Sequence, residues 1–345
     1  MSMTSETCRA PAPTARMQAR DGGVVLRHGD GKHGDRFGAR DVWVFTDGDQ
    51  YLMHYDAAGD HGWLAALATS PDGVHWTKHG PVLDLGHLGA QDSGSASYGT
   101  TYFDGRNWHM FYLGTPNVLD DGFRTPAFPY MTMKAEGASA EGPWRKRPDI
   151  TPFLAADGTW YDDTASPGAV VQTEEGYVML FSAATTAVDG RVWRTLGTAR
   201  TDDLSDAWTV DPHPLLPLTE QIENSSLYFE ESTGTWFLFT NHIAELVPEM
   251  SAPHGYSREF TDAIWVYWAP DLSSFTPENK AIVVDTTVAE WSPLVVGLPS
   301  VLRIGERLAV YYDGSSKVSI SHGRRDVGVA WLDLPLRVPE GATQD

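Results

Sequence analysis

Five short runs along the chain share one pattern: "YLMHYDA" (51–57), "WHMFYLG" (108–114), "YVMLFSA" (177–183), "WFLFTNH" (236–242) and "LAVYYDG" (308–314). Each is aromatic or β-branched, apolar at its centre and bounded by turn residues, so each reads as a β-strand. Each follows a polar turn ("TDGDQ", "FDGRN", "TEEG", "ESTG", "RIGER"), and each turn follows another strand-like run ("DVWVF", "GTTYF", "GAVVQ", "SSLYF", "LPSVL"). The unit therefore opens as a hairpin. In most copies a third strand follows, then a segment ending in an aromatic ("ATSPDGVHW", "KAEGASAEGPW", "ARTDDLSDAW", "APDLSSF"), then a fourth strand such as "TKHGPVL".

Four strands per unit, repeated five times at intervals of roughly 50–70 residues, predict an all-β chain. The expected fold is a five-bladed β-propeller with four-stranded antiparallel blades around a central funnel. The last unit is one strand short, and "GVVLRH" (23–28) is the run available to complete it. The expected organisation is a loose lead over 1–22, one catalytic domain over 23–338 and a tail over 339–345.

Composition agrees with many strands and tight turns: 13 Trp, 13 Tyr and 13 Phe stand beside 33 Gly and 22 Pro. The net charge of −21 argues against nucleic acid or an anionic membrane surface as partner, because both call for a basic face. With one cysteine, Cys8, the chain forms no internal disulfide. The first residues hold no apolar signal-peptide core and no run is long enough to span a bilayer, which together point to a cytoplasmic protein.

The candidate chemistry lies in acids placed at one phase of the repeat. Asp41 heads the first strand of unit one, Asp92 precedes unit two, Asp162 and Asp163 precede unit three, Glu223 heads unit four and Glu290 precedes unit five. First strands of propeller blades line the axis, so these acids are expected to converge on one mouth. Paired carboxylates in such a place suit glycosidic-bond cleavage, one held protonated as acid and the other ionised as base or nucleophile. Glu223 has the longer arm and uncharged neighbours, which favours the acid role. Asp41 lies beside Arg40, which favours ionisation.

On these residues the chain resembles glycoside hydrolase family 43 and is similar to the related families 32, 68, 117 and 130. "GARDVWVF" stands where that family has an Arg-Asp-Pro strand start, with Val42 in place of proline. "IENSSLYF" stands where it has Glu-x-Pro, with Ser225 in place of proline. "YDDTASPGAVV" carries the blade-three acid and leaves Asp162 and Asp163 both open, with Asp163 preferred. The resemblance implies Asp41 as general base or nucleophile, Glu223 as general acid and the blade-three Asp as a group orienting that acid. It implies an oligosaccharide or small glycoside as substrate and an exo-acting arabinofuranosidase, xylosidase or other furanosidase activity. A phosphorylase of the family 130 type and a non-catalytic carbohydrate-binding propeller are the alternatives. No cofactor is expected, although a calcium in the central channel is compatible with this resemblance.

Two long connections, 114–130 and 242–262, fall between second and third strands and are expected to narrow the funnel into a pocket. Further substrate-binding candidates are Trp43, Tyr98, Trp291, His242 and Arg324, with Phe123, Arg124 and Trp160 behind them. The Gly-rich run "RHGDGKHGD" spaces His28, Asp30, His33 and Asp35 like metal ligands, but it lies off any helix and reads better as a loop at the rim.

Overall fold

The computed structural model describes residues 9–29, 31–246 and 258–339. After a first strand, β1 (Arg20–Leu26), the chain lays down antiparallel four-stranded units in succession. The first holds β2 (Gly38–Asp47), β3 (Gln50–Gly59), β4 (Gly62–Ser70) and β5 (Thr77–Pro81). The second holds β6 (Ser95–Phe103), β7 (Trp108–Thr115), β8 (Met131–Gly137) and β9 (Arg145–Lys146). A short parallel pairing of Trp63–Leu64 with Ser95–Ala96 joins these two units. The third holds β10 (Thr164–Thr173), β11 (Gly176–Thr186), β12 (Val192–Thr201) and β13 (Thr209–Val210). The fourth holds β14 (Ile222–Glu230), β15 (Thr235–Glu245), β16 (Glu259–Ala269) and β17 (Lys280–Asp285). β18 (Val296–Ile304), β19 (Arg307–Gly314) and β20 (Asp326–Asp333) form the last, and β1 pairs with β20 to complete it. No α-helix occurs among the described residues.

The hairpins follow from their turns. Gly48 and Gly305, at φ 60° and 61°, occupy the first position of two-residue loops, where a positive φ matches the strand twist. Second strands are buried on both faces, so they read as continuous apolar runs rather than alternating ones. Their side chains fill the spaces between neighbouring sheets. Phe237, Phe239 and Val266 pack on Val301, Leu308 and Val310, while Val44, Met53 and Tyr55 pack on Ala309, Tyr311 and Val329. Fully burying one such side chain is worth about 1.5–3 kcal/mol.

The first strands touch in sequence, β2 with β6, β6 with β10, β10 with β14, β14 with β18, and β18 with β2. All five break register at the same phase: between Arg40 and Trp43, Ser97 and Thr100, Ser166 and Ala169, Glu223 and Ser226, and Gly297 and Ser300. Asp41, Asn224 and Leu298 occupy the same place in three of these bulges and share a left-handed φ of 53°, 59° and 52°. Such bulges re-aim side chains locally. Here they turn the ends of the strands toward a common hollow.

The segment ahead of residue 23, expected to be loose, is tied down from residue 9. Arg9 donates to Ile243 O at 3.0 Å and pairs with Glu259 at 2.7 Å, Arg16 forms a two-pronged pair with Asp285 at 2.8 Å, and Met17 N–H bonds Ile282 O at 2.8 Å. Arg9 and Arg16 reach carboxylates of the fourth unit and Arg20 pairs with Asp333 of the last, long-range pairings that local composition does not reveal. Cys8, Asp30 and the tail beyond residue 339 lie outside the described residues.

Candidate active site

The bulges open into a cavity of about 320 Å³. Its walls include Arg40, Asp41, Asp56 and Trp63 from the first unit and Ser166, Ser182 and Arg194 from the third. Glu223, Asn224 and Glu259 come from the fourth, and His322 and Arg325 from the connection into β20. The 114–130 connection forms one side through Leu119, Thr125, Phe128 and Tyr130. Trp63 is fixed there by its indole N–H, which donates to Phe123 O at 2.8 Å. Beneath lies a smaller hollow of about 40 Å³ lined by residues from all five bulges, among them Asp41, Tyr98, Pro167, Asn224 and Leu298.

Each of the two sequence-selected carboxylates that reach the cavity meets an arginine. Arg40 Nε donates to Asp41 Oδ1 at 2.6 Å, and Arg40 Nη1 lies 2.8 Å from His322 Nδ1. Burial works against the Arg40 charge, but Asp41 and then Asp313, 3.6 Å away, hold its pKa above the ordinary value. Arg194 Nε lies 2.7 Å from Glu223 Oε1, and its Nη1 donates to Glu259 Oε2 at 2.7 Å. Glu259 in turn receives Arg9, so an ion-pair chain runs from the N-terminal segment to Glu223.

Burial pushes the Asp41 carboxyl up, against the pull of Arg40. Burial followed by the charge of Asp41 pushes Asp56 well up. His322 is held far below the usual imidazole value by burial and then by Arg40, Arg325 and Arg194, in keeping with its Nδ1 accepting from Arg40. Tyr130 donates to Pro126 O at 2.8 Å; burial and then the nearby Glu223 raise its phenol, and Asp41 adds to the effect.

The structure thus brings Arg40, Asp41 and Glu223 together, with Trp43 and Tyr98 at the smaller hollow. The other expected acids do not line the cavity. Asp163 accepts from Thr186 Oγ1 at 2.5 Å, and Thr164, Ser166 and Ser182 face the hollow in the third unit. Asp162 precedes the strand and stays outside with it. Asp92 is a buried anchor for Tyr112 at 2.8 Å and Lys146 at 2.5 Å. Glu290 is exposed in the turn before β18, and Arg324 is exposed at φ 60°. A sequence position "before the first strand" spans several residues, and those that line the cavity lie within the first strands, at or near the bulge.

The aromatics and histidine sort in the same way. Trp291 stacks on Tyr312 and donates to its hydroxyl at 2.9 Å. Trp160 stacks on Phe181, and Phe123 packs edge-on against Phe37. His242 stacks on Trp265 at 3.9 Å and pairs with Asp262 at 2.7 Å. The ladder from β15 to β16 runs on to Glu245 and Glu259, so both His242 and Asp262 lie within strands, and the connection begins later than expected. Residues 247–257 of that connection are outside the described set. Of the Gly-rich run, His28 pairs with Asp326 at 2.7 Å and Asp35 with Lys78 at 2.5 Å.

Sequence reasoning missed Asp56, Arg194, Glu259, His322 and Arg325. For Asp56 a signal existed. Opposite the residue before each bulge stand Asp56, Leu113, Ser182, Asn241 and Asp313, so the Asp of "YLMHYDA" and that of "LAVYYDG" occupy one structural position. An acid at the end of an otherwise apolar strand calls for a partner. The smaller hollow has a mixed lining, with Asp41, Tyr98, Ser166, Asn224 and Ser225 beside Val42, Trp43, Pro167 and Pro299, and no group of three acidic, His or Cys side chains able to hold a metal occurs among the described residues.

No protein-family model matches this sequence, and no curated protein sequence matches it. Solved structures do. A BT0996–RGII complex aligns at TM-score 0.67 and 15% identity, covering 95% of this protein and 96% of that one. A GH130-family structure aligns at TM-score 0.63 and 12% identity, covering 97% and 99%; it comes from the mannoside phosphorylase family containing hydrolases that target beta-1,2 mannosidic linkages in Candida mannan. A thermostable family-43 glycoside hydrolase aligns at TM-score 0.56 and 15% identity, covering 86% and 90%. The protein therefore has the β-propeller fold found in these glycoside hydrolases, and its resemblance to family 43 is one of architecture.

Proposed function

We propose that the protein hydrolyses a glycosidic bond, with Glu223 as general acid and Asp41 as general base or nucleophile, on a single ring of five blades completed by β1. The observation that carries this reading is that Asp41 and Glu223, from separate sheets, line one cavity through bulges at the same strand phase. In the acid role Glu223 gives its proton to the leaving oxygen, and Arg194 then stabilises the carboxylate left behind. Arg40 orients Asp41, which attacks the anomeric carbon or activates a water for that attack. The cavity lies at the small end of the ~300–1,000 Å³ range of ligand pockets and is walled by the 114–130 connection. That shape favours removal of one terminal sugar, with a furanoside or pentoside as the first substrate class to test.

The specific feature favouring a phosphorolytic variant is the set of arginines around Asp41, namely Arg40, Arg194 and Arg325. Each is already committed to carboxylates, which favours water over phosphate as acceptor. A panel of nitrophenyl arabinofuranoside, xyloside, fructoside and galactoside analogues, assayed with and without phosphate, tests both. Phosphate-independent release of the sugar supports hydrolysis. Strict dependence on phosphate supports phosphorolysis, and binding without turnover in either condition contradicts both.

A further inference from the structure

Asp56 has no part in the chemistry above, yet its place is specific. It lies in β3 directly across from Arg40, so the β2–β3 ladder sets it next to Asp41 on the same cavity wall. It is 1% exposed, and its Oδ1 accepts the backbone N–H of Tyr98.

We propose that Asp56 is a positioning residue for Asp41: the two carboxyl groups share one proton, Asp56 holds it and donates it as a hydrogen bond, and Asp41 remains the ionised member against Arg40. The proposal rests on the glycosidase reading for its purpose, but its physical basis is a count of charges. The groups facing the pair are Arg40 from β2, Asp313 from β19, His322 and Arg325 from the connection into β20, and the Tyr98 N–H from β6. Arg194, Glu223 and Tyr130 stand farther round the cavity. His322, whose Nδ1 accepts from Arg40, is counted as uncharged. The nearest acids are then Asp41, Asp56 and Asp313, against the cations Arg40 and Arg325, which leaves one negative charge in excess where Asp56 and Asp313 are buried. A bound proton removes that excess, because two adjacent carboxylates in low dielectric do not both ionise readily.

The contacts decide which acid carries it. Asp313 receives Arg325 at 2.7 Å and faces Arg40 at 3.6 Å, and Asp41 receives Arg40 at 2.6 Å. Asp56 forms no ion pair with an arginine among the described residues and accepts one backbone N–H. It is the carboxyl that loses least by being neutral. The third acid of the resemblance, sought at Asp162 or Asp163 beside the general acid, is thereby replaced by an acid from a different strand acting on the base.

The test uses the full chain with Asp56→Asn and Asp56→Ala. Asparagine keeps the shape, accepts the Tyr98 N–H and donates to Asp41, but has no proton to lose in this range. Alanine keeps none of these. Carboxyl ¹³C titration by NMR, on wild type, Asp41→Asn and Asp56→Asn, should show one carboxyl of the pair still protonated above about pH 6, and that step should vanish in Asp56→Asn. On the substrate found by the panel, Asp56→Asn should keep kcat/KM within about threefold near pH 6 and lose the alkaline limb due to this step, while Asp56→Ala should fall at least about tenfold throughout. Ordinary ionisation of both carboxyls by about pH 5, or an alkaline limb unmoved in Asp56→Asn, overturns the proposal. If no glycoside is turned over, the glycosidase reading fails while the NMR arm still decides whether the proton is shared.

Discussion

Arg194 stands between two acids, with Nε 2.7 Å from Glu223 Oε1 and Nη1 2.7 Å from Glu259 Oε2. One guanidinium thus serves the candidate acid and the wall residue that receives Arg9. Replacing it leaves Glu223 and Glu259 without the cation they share. Arg194→Met should lower stability by about 1–3 kcal/mol, less than a fully buried pair would because both acids reach cavity water. Arg194→Lys should recover most of that stability but little of the turnover, since a single ammonium cannot replace the fork that serves both acids. Urea unfolding alongside kcat checks this. Equal recovery of both would show that charge alone is what Arg194 supplies.

Asp163 separates the present account from the reading by resemblance. Its side chain is held by Thr186 outside the cavity. Asp163→Asn should leave kcat and KM within about threefold of wild type, whereas Glu223→Gln should lower kcat by about a hundredfold or more, the usual scale of general-acid catalysis. A comparable loss in both variants would return Asp163 to the mechanism.

The bulge of β10 depends on Gly168. A Cβ there would collide with Leu180 O on the neighbouring strand and with Ser225 Oγ on the next sheet. Ser225 Oγ is itself fixed, receiving Ala169 N–H at 2.8 Å and donating to Leu180 O at 2.5 Å. Gly168→Ala should cost about 1–3 kcal/mol or more, the range for forcing extra volume into packed structure. An unchanged denaturation midpoint would mean that the sheets are not locked together at this point.

His54, buried in β3 against Tyr98 and Trp144, has its pKa lowered by burial from 6.5 to about 3. Between those values the unfolded polypeptide takes up a proton that the folded protein does not. Stability therefore rises with pH across this window, is complete above 6.5 and is lost as pH falls. The slope from one such group reaches about 1.4 kcal/mol per pH unit. His54→Gln should flatten the pH dependence of unfolding between about pH 4 and 6.5 by that amount, whatever it does to absolute stability. An identical slope would contradict the assignment.

The sheets were legible because five hairpins repeat one pattern, and Asp41 and Glu223 were legible as cavity residues because each lies near the start of a first strand. What sequence did not reveal was phase. Asp92, Asp163 and Glu290 lie only a few residues from strand starts, yet the bulge decides which residue turns inward, and neither hydrophobicity nor charge marks a bulge except where Gly99, Gly168 or Pro299 stands in it. Arg194 and Glu259 come from third strands, where an isolated charged residue looks like any solvent-facing one. Arg9 was hidden because its partners lie more than two hundred residues away. Asp56 was visible inside a quoted repeat, and comparing it with Asp313 would have found it.

The most direct test compares wild type, Asp41→Asn and Glu223→Gln on glycosides of one sugar with good and poor leaving groups. Proton donation matters little to a dinitrophenolate and greatly to an alkoxide. The account predicts that Glu223→Gln loses about a hundredfold more activity on the alkyl glycoside than on the dinitrophenyl one, while Asp41→Asn is impaired on both alike. Losses in Glu223→Gln that ignore the leaving group, or near-wild-type turnover in either variant, would contradict it.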